Sequence, residues 1–122
     1  MVRNWEIIRS VLLRLEDGKT ARLVVQANQI EGFAHQEVAY NMALMKDAGL
    51  IDGLIRYSSE GDGAIALAVA HGMTSKGHDF LDSIRNEGIW FDVKKRFREK
   101  GIEMTVDLVM KVSAGLAAAA LG

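Results

Sequence analysis

Two short segments, set about two dozen residues apart, constrain this chain more than any other feature. Ala48-Gly49-Leu50-Ile51 closes a helix-like stretch, and Thr74-Ser75-Lys76-Gly77-His78-Asp79-Phe80-Leu81-Asp82 opens another. A glycine directly after a periodic segment is the usual left-handed stop of a helix, and a threonine three residues before a glycine or acid is a start signal. The residues between must therefore leave one helix and enter the next. The chain has no proline, so every break falls to its 12 glycines and to polar turns.

The segment between reads as a β-hairpin. Gly53 to Tyr57 is one strand, Ser58-Ser59-Glu60-Gly61-Asp62-Gly63 is the turn, and Ile65, Leu67 and Val69 alternate with Ala66, Ala68 and Ala70 in the second. Two glycines supply positive φ, and Asp62 can bond its own backbone. The alternation places Ile65, Leu67 and Val69 inward and the alanines outward.

Before the hairpin, Asn4 is an N-cap for a helix over about Asn4 to Asp17, with Ile8, Val11, Leu12 and Leu15 at helical spacing and Gly18 as its left-handed stop. Arg22 to Ala27 reads as a short strand, and Gly32 ends that region. Ala34 to Ala48 has helical period. Val38, Met42 and Met45 fall together with Ala34 and Asn41 beside them, while Gln36, Tyr40, Ala43 and Asp47 fall on the opposite face.

After the hairpin, Thr74 caps a third helix with Phe80, Leu81 and Ile84 as its stripe and Gly88 as its stop. Trp90, Val93 and Phe97 mark a fourth ending near Gly101. Thr105 caps a fifth, with Met104 and Val109 at the two positions of a hydrophobic staple and Leu108, Val112 and Leu116 as its stripe. The predicted class is α+β in one domain over 1–122, with a core over 4–88 and a helical extension over 89–122.

The composition narrows the chemistry. With 15 basic and 16 acidic residues the formal charge is −1, which counts against strong non-specific nucleic-acid binding driven by counterion release. Cysteine is absent, which removes thiolate nucleophiles and thiolate metal sites. No apolar run reaches the ~18 residues of a membrane span, and Arg3 and Glu6 stand where a signal peptide needs an apolar core. The expectation is a soluble cytoplasmic protein without a membrane association.

No catalytic, metal or cofactor site is expected. There is no Gly-x-Ser-x-Gly elbow and no phosphate loop, and Gly61-Asp62-Gly63 lacks the helix that a phosphate cradle needs. His78 and Asp82 share a helix face at i, i+4, but two ligands are too few for a metal, and helix-start chemistry explains His78 and Asp79 as well. Lys94-Lys95-Arg96, Arg98 and Lys100 form a basic cluster that reads either as a solvated face or as a contact for an acidic partner or nucleic acid. The stretch from Val106 to Leu121 is apolar on most sides, so it must be covered, either by a second copy in a homodimer or by helix one.

With these residues in view, the chain resembles a family of small bacterial and prophage proteins whose domain has no assigned function. The resemblance rests on Glu31-Gly32-Phe33, Ala48-Gly49-Leu50-Ile51, Thr74 to Asp82, Arg85 and Trp90, and covers roughly residues 4 to 100. It implies no catalytic residues. Helix, hairpin and helix in this order also resemble the winged-helix transcription regulators of the PadR and MarR type, in which the hairpin is the wing. That resemblance implies a winged-helix-like domain and contact with double-stranded DNA. The recognition helix would be Ala34 to Ala48, offering Gln36 and Tyr40 to base edges or phosphates with Lys46 at its flank; Arg56 and Lys76 would touch backbone phosphates. The chain departs from the pattern in two ways. Between Ala27 and the hairpin there is one clear helix where the pattern has two, and Glu37 and Asp47 would repel phosphates. The two functional readings are a DNA-associated regulator and a non-enzymatic protein–protein adaptor that keeps the fold without binding DNA.

Overall fold

The structure, a computed structural model, describes residues 1–18 and 24–122. Its helices are α1 (Trp5–Glu16), α2 (His35–Asp47), α3 (Ser75–Ile84), α4 (Glu87–Lys100) and α5 (Val106–Leu121), and its strands are β1 (Val25–Gln26), β2 (Ile51–Tyr57) and β3 (Ile65–Met73). The strands form one antiparallel sheet in the order β1-β3-β2. The fold is therefore mixed α+β, with five helices among the described residues. Packing divides the chain into two compact units, Met1–His78 and Asp79–Gly122, and the division falls within α3.

The first unit is built from the helix ends inward. Asn4 caps α1, its Oδ1 accepting from the amides of Glu6 at 3.0 Å and Ile7 at 3.4 Å. Ile7, Ile8, Val11 and Leu12 then form a fully buried stripe. The α1 helix ends at Asp17, with the Gly18 amide bonded back to the Leu15 carbonyl at the expected stop. Of the strand expected over Arg22 to Ala27, residues 22 and 23 lie outside the described residues. The described part is shorter than expected, because Ala27 already begins a single 3-10 turn, Ala27–Gln29. Gln29 Oε1 accepts from the Gln26 amide at 2.8 Å, so the turn closes on itself and does not grow into a helix.

The α2 helix ends in a Schellman motif. Gly49 donates to the Lys46 carbonyl and Leu50 to that of Met45, while Gly49 takes φ 78°. This turns Leu50 and Ile51 straight into the core, where both are buried. Thr74 then returns to the same place. Its amide donates to the Leu50 carbonyl at 3.1 Å, its hydroxyl donates to the Gly49 carbonyl, and the same Oγ1 accepts from the Gly77 amide at 2.9 Å. Gly77 lies so close that a Cβ there would stand 2.0 Å from the Leu50 carbonyl oxygen. The two segments that frame the hairpin in the sequence are thus joined at its base.

One expectation about the hairpin is reversed. Ala68 and Ala70 are 2% and 0% exposed, while Leu67 and Val69 are only half-buried. The cause is a bulge. Arg56 pairs with Leu67 and Tyr57 with Ile65, so Ala66 is an extra residue in β3. One extra residue flips the alternation. Ile65 and Ala68 both face inward as a result, and the small side chains of β3 let α1 and α2 pack closely on it. The turn chemistry is as expected, with Gly61 and Gly63 at positive φ and Asp62 Oδ1 accepting from the Ala64 amide at 3.0 Å.

In the second unit, α3 ends at Ile84, four residues before the stop expected at Gly88. Asn86 caps α4 by accepting from Ile89 at 2.9 Å, which leaves Gly88 inside the first turn of the next helix. Trp90, Val93 and Phe97 are buried and Gly101 ends α4 at φ 65°. Thr105 caps α5. The buried line of α5 is Val109 and Ser113, whereas Leu108 is 40% exposed and Val112 and Leu116 are half-buried. The stripe expected to be core therefore lies at its edge.

These contacts give a prediction of opposite signs at two helical glycines. Gly115→Ala, whose Cβ meets nothing within 4 Å, should gain about 0.5–1 kcal/mol from helix propensity. Gly77→Ala should instead lose about 1–3 kcal/mol through the clash with Leu50. Urea denaturation of the two variants measures both, and an unchanged or raised midpoint for Gly77→Ala would refute the close approach.

Candidate functional site

Most of α2 is covered. Val38, Ala39, Asn41, Met42, Ala43 and Met45 are buried, and the helix packs against α1, the 3-10 turn, β2 and β3. Ala43, expected on the outward face with Gln36 and Tyr40, is inside. What α2 leaves fully exposed is its two ends, His35 at the start and Lys46 and Asp47 at the finish.

The structure gives Gln36 a specific role at the N-terminal end of α2. Its Nε2 donates to the Ile65 carbonyl at 2.8 Å and its Oε1 accepts from the Ile65 amide at 3.0 Å. A side-chain amide thus pairs with the first residue of β3 as a neighbouring strand would. The amide that could have read an adenine edge is occupied by backbone in both of its functions. Tyr40, one turn on, is half-buried.

The other three candidates are exposed. Lys46 is in the last turn of α2, Arg56 is at the outer end of β2 beside Tyr57, which is also exposed, and Lys76 is in the first turn of α3. All belong to the first unit, and the pairing of Arg56 with Leu67 sets it on the sheet face away from α1 and α2. At the N-terminus of α3 the Gly77 amide bonds Thr74 Oγ1, so it is already taken and not open to an anion.

Asn41 is the polar residue that sequence periodicity left without a role. It is 0% exposed. Its Oδ1 accepts from the Asn4 amide at 2.7 Å, and its Nδ2 donates to the carbonyls of Glu37 at 2.9 Å and Val2 at 3.4 Å. Asn41 therefore fixes the residue that caps α1, and the two asparagines act in series. The available signal was an asparagine beside an apolar stripe, since a buried amide requires partners.

The remaining constellations are dispersed. His78 is exposed, and Asp82 pairs with Arg85 at 2.7 Å. Among the described residues no group of three or more His, Cys, Asp or Glu comes together to hold a metal. In the basic cluster of α4, Lys94 lies 5.2 Å from the centre of the Trp90 ring and Lys95 sits 3.9 Å from Glu99. Arg96 and Lys100 have no ion-pair partner among the described residues.

Gln36→Ala tests the structural role directly. It should lower stability by about 1–3 kcal/mol, because the Ile65 amide and carbonyl lose their partner in a part-buried position. Thermal unfolding that shifts no more than for an exposed control such as Lys46→Ala would contradict it. Asn41→Ala should cost about as much or more, given full burial of the site.

Comparison with known proteins places the chain among proteins without an assigned activity. Residues 2–103 match the family described as "Hypothetical protein (DUF2513)". An uncharacterised protein of Haemophilus influenzae is 35% identical over 113 residues, covering 93% of this chain and 92% of that protein. No solved structure matches it. Among the described residues no helix is long and apolar enough to cross a membrane.

Proposed function

The chain belongs to the DUF2513 family of hypothetical proteins, and we propose that it is a small, non-enzymatic protein–protein adaptor that keeps a winged-helix-like arrangement without reading DNA. The observation that carries this reading is the state of α2. A recognition helix has to present a polar face to a groove about 12 Å wide. Here α2 is covered by α1, the sheet and the 3-10 turn, and its best base-reading side chain is bonded to Ile65. The near-neutral charge supports the same reading, because there is little counterion-release term to drive phosphate binding.

A second reading, a cytoplasmic DNA-associated regulator of a bacterium or prophage, is favoured by one specific observation. The strand order is β1-β3-β2, with a helical turn and then α2 between β1 and β2, and this reading takes the turn Ala27–Gln29 as a reduced first helix of the reading head. In that reading the Ser58–Gly63 tip and Arg56 lie along the backbone, and Lys46 and Lys76 add phosphate contacts. In both readings the protein is a homodimer through α5, whose Leu108 and Leu121 are 40% and 91% exposed.

Fluorescence anisotropy with random-sequence duplex DNA separates the two. The adaptor should show no saturable binding at low salt. Measurable affinity that falls steeply with salt, and falls again in an Arg56→Ala, Lys76→Ala variant, would establish the DNA reading instead. Light scattering at high micromolar concentration should give a dimer that Leu108→Lys weakens; a monomer would end the dimer proposal.

A further inference from the structure

The second unit contains a groove on α5, the helix that the dimer proposal also uses. It lies between the C-terminal half of α4 and α5 and is closed at one end by the turn joining them, with a volume of about 410 Å³. Phe97, Ile102, Val112 and Leu116 form its walls, and Gly115 and Ala119 keep α5 low enough to leave it open. Small-molecule sites span roughly 300–1,000 Å³ and are mostly apolar with a few placed polar groups.

The polar groups here are both cations. Arg96 and Lys100 line the groove, four residues apart on α4, and its lining contains no acid. Like charges at i, i+4 on a helix repel. The neighbouring pairs Lys95–Glu99 and Lys94–Trp90 leave these two unmatched, and among the described residues neither has an ion-pair partner. Asp92 and Glu99 lie with them on an adjoining depression of α4, outside the groove lining. An apolar trough lined by two unmatched cations is complementary in shape and charge to a molecule with an apolar body and one anionic end.

We propose that the α4–α5 groove binds a small amphiphilic carboxylate, with its alkyl or aryl body against Phe97, Ile102, Val112 and Leu116 and its carboxylate between Arg96 and Lys100. Burying a chain of eight to twelve carbons in such a groove corresponds to affinities of roughly 2–20 mM at drug-like ligand efficiencies. The two exposed cations add up to about tenfold together, each within the range of a surface ion pair.

The test uses the full chain and decanoate as the probe, at concentrations below micelle formation, followed by calorimetry and by the backbone amide signals of Gly101 and Gly115. Saturable binding is expected, with shifts at both glycines. Methyl decanoate, which lacks the charge, should bind about tenfold more weakly, and Arg96→Gln with Lys100→Gln should abolish that preference. Gly115→Leu should block the groove while leaving the fold intact, because a side chain there enters open space on a helix with ordinary φ. Non-saturable binding, equal affinity for acid and ester, or undiminished binding by a folded Gly115→Leu variant would each overturn the proposal. So would a Gly115→Leu variant that dissociates a dimer when the unmodified dimer takes no decanoate, since the groove would then belong to a second copy.

Discussion

The contact between the end of α2 and the start of α3 governs the first unit. A Schellman turn leaves the carbonyls of Gly49 and Leu50 pointing away from α2, and Thr74 takes both, one with its hydroxyl and one with its amide. Gly77 allows α3 to begin against that backbone at a distance no side chain would permit. The ends of the β2–β3 hairpin are therefore held together by bonds outside its own ladder. The bulge at Ala66 then sets which side chains of β3 face α1 and α2, and the alanines that result are what let two helices cover one small sheet.

Polar residues complete the frame. Asn41 holds the Asn4 amide while Asn4 caps α1, and Gln36 extends the edge of β3 with a side-chain amide in place of a strand. Each is a polar group in a buried or part-buried position whose bonds are satisfied, and each ties α2 to a different element. A helix fastened in this way serves as a scaffold. Under the adaptor reading proposed above, the surface offered to partners is the rim of the first unit and the apolar side of α5.

Much of the fold was legible because it rests on local signals. The caps at Asn4, Thr74 and Thr105, and the stops at Gly49 and Gly101, are read from a residue and its immediate neighbours, and the structure bears them out. The errors arise where tertiary context decides. In β3 the inward place of Ile65 was read correctly, but from Leu67 onward the alternation was assigned to the wrong face, because a bulge leaves no mark in an Ile-Ala-Leu-Ala run. Gly88 was read as a stop, but Asn86 caps the next helix two residues earlier and absorbs it. Periodicity set Asn41 beside the apolar stripe and Gln36 on the opposite face, yet both amides are structural, and only their long-range partners show it. The function was less legible than the fold, since the segment from Thr74 to Asp82 is accounted for by its part in folding.

The account's central claim is that Thr74 and Gly77 fasten α3 to the end of α2 as part of the cooperative core. Native-state hydrogen exchange measures this most directly. The amides of Thr74 and Gly77 should exchange with the same free energy as those of Val38 and Met42 in the middle of α2, which open with global unfolding. Exchange at Thr74 and Gly77 through low-energy local opening, while α2 stays protected, would contradict it.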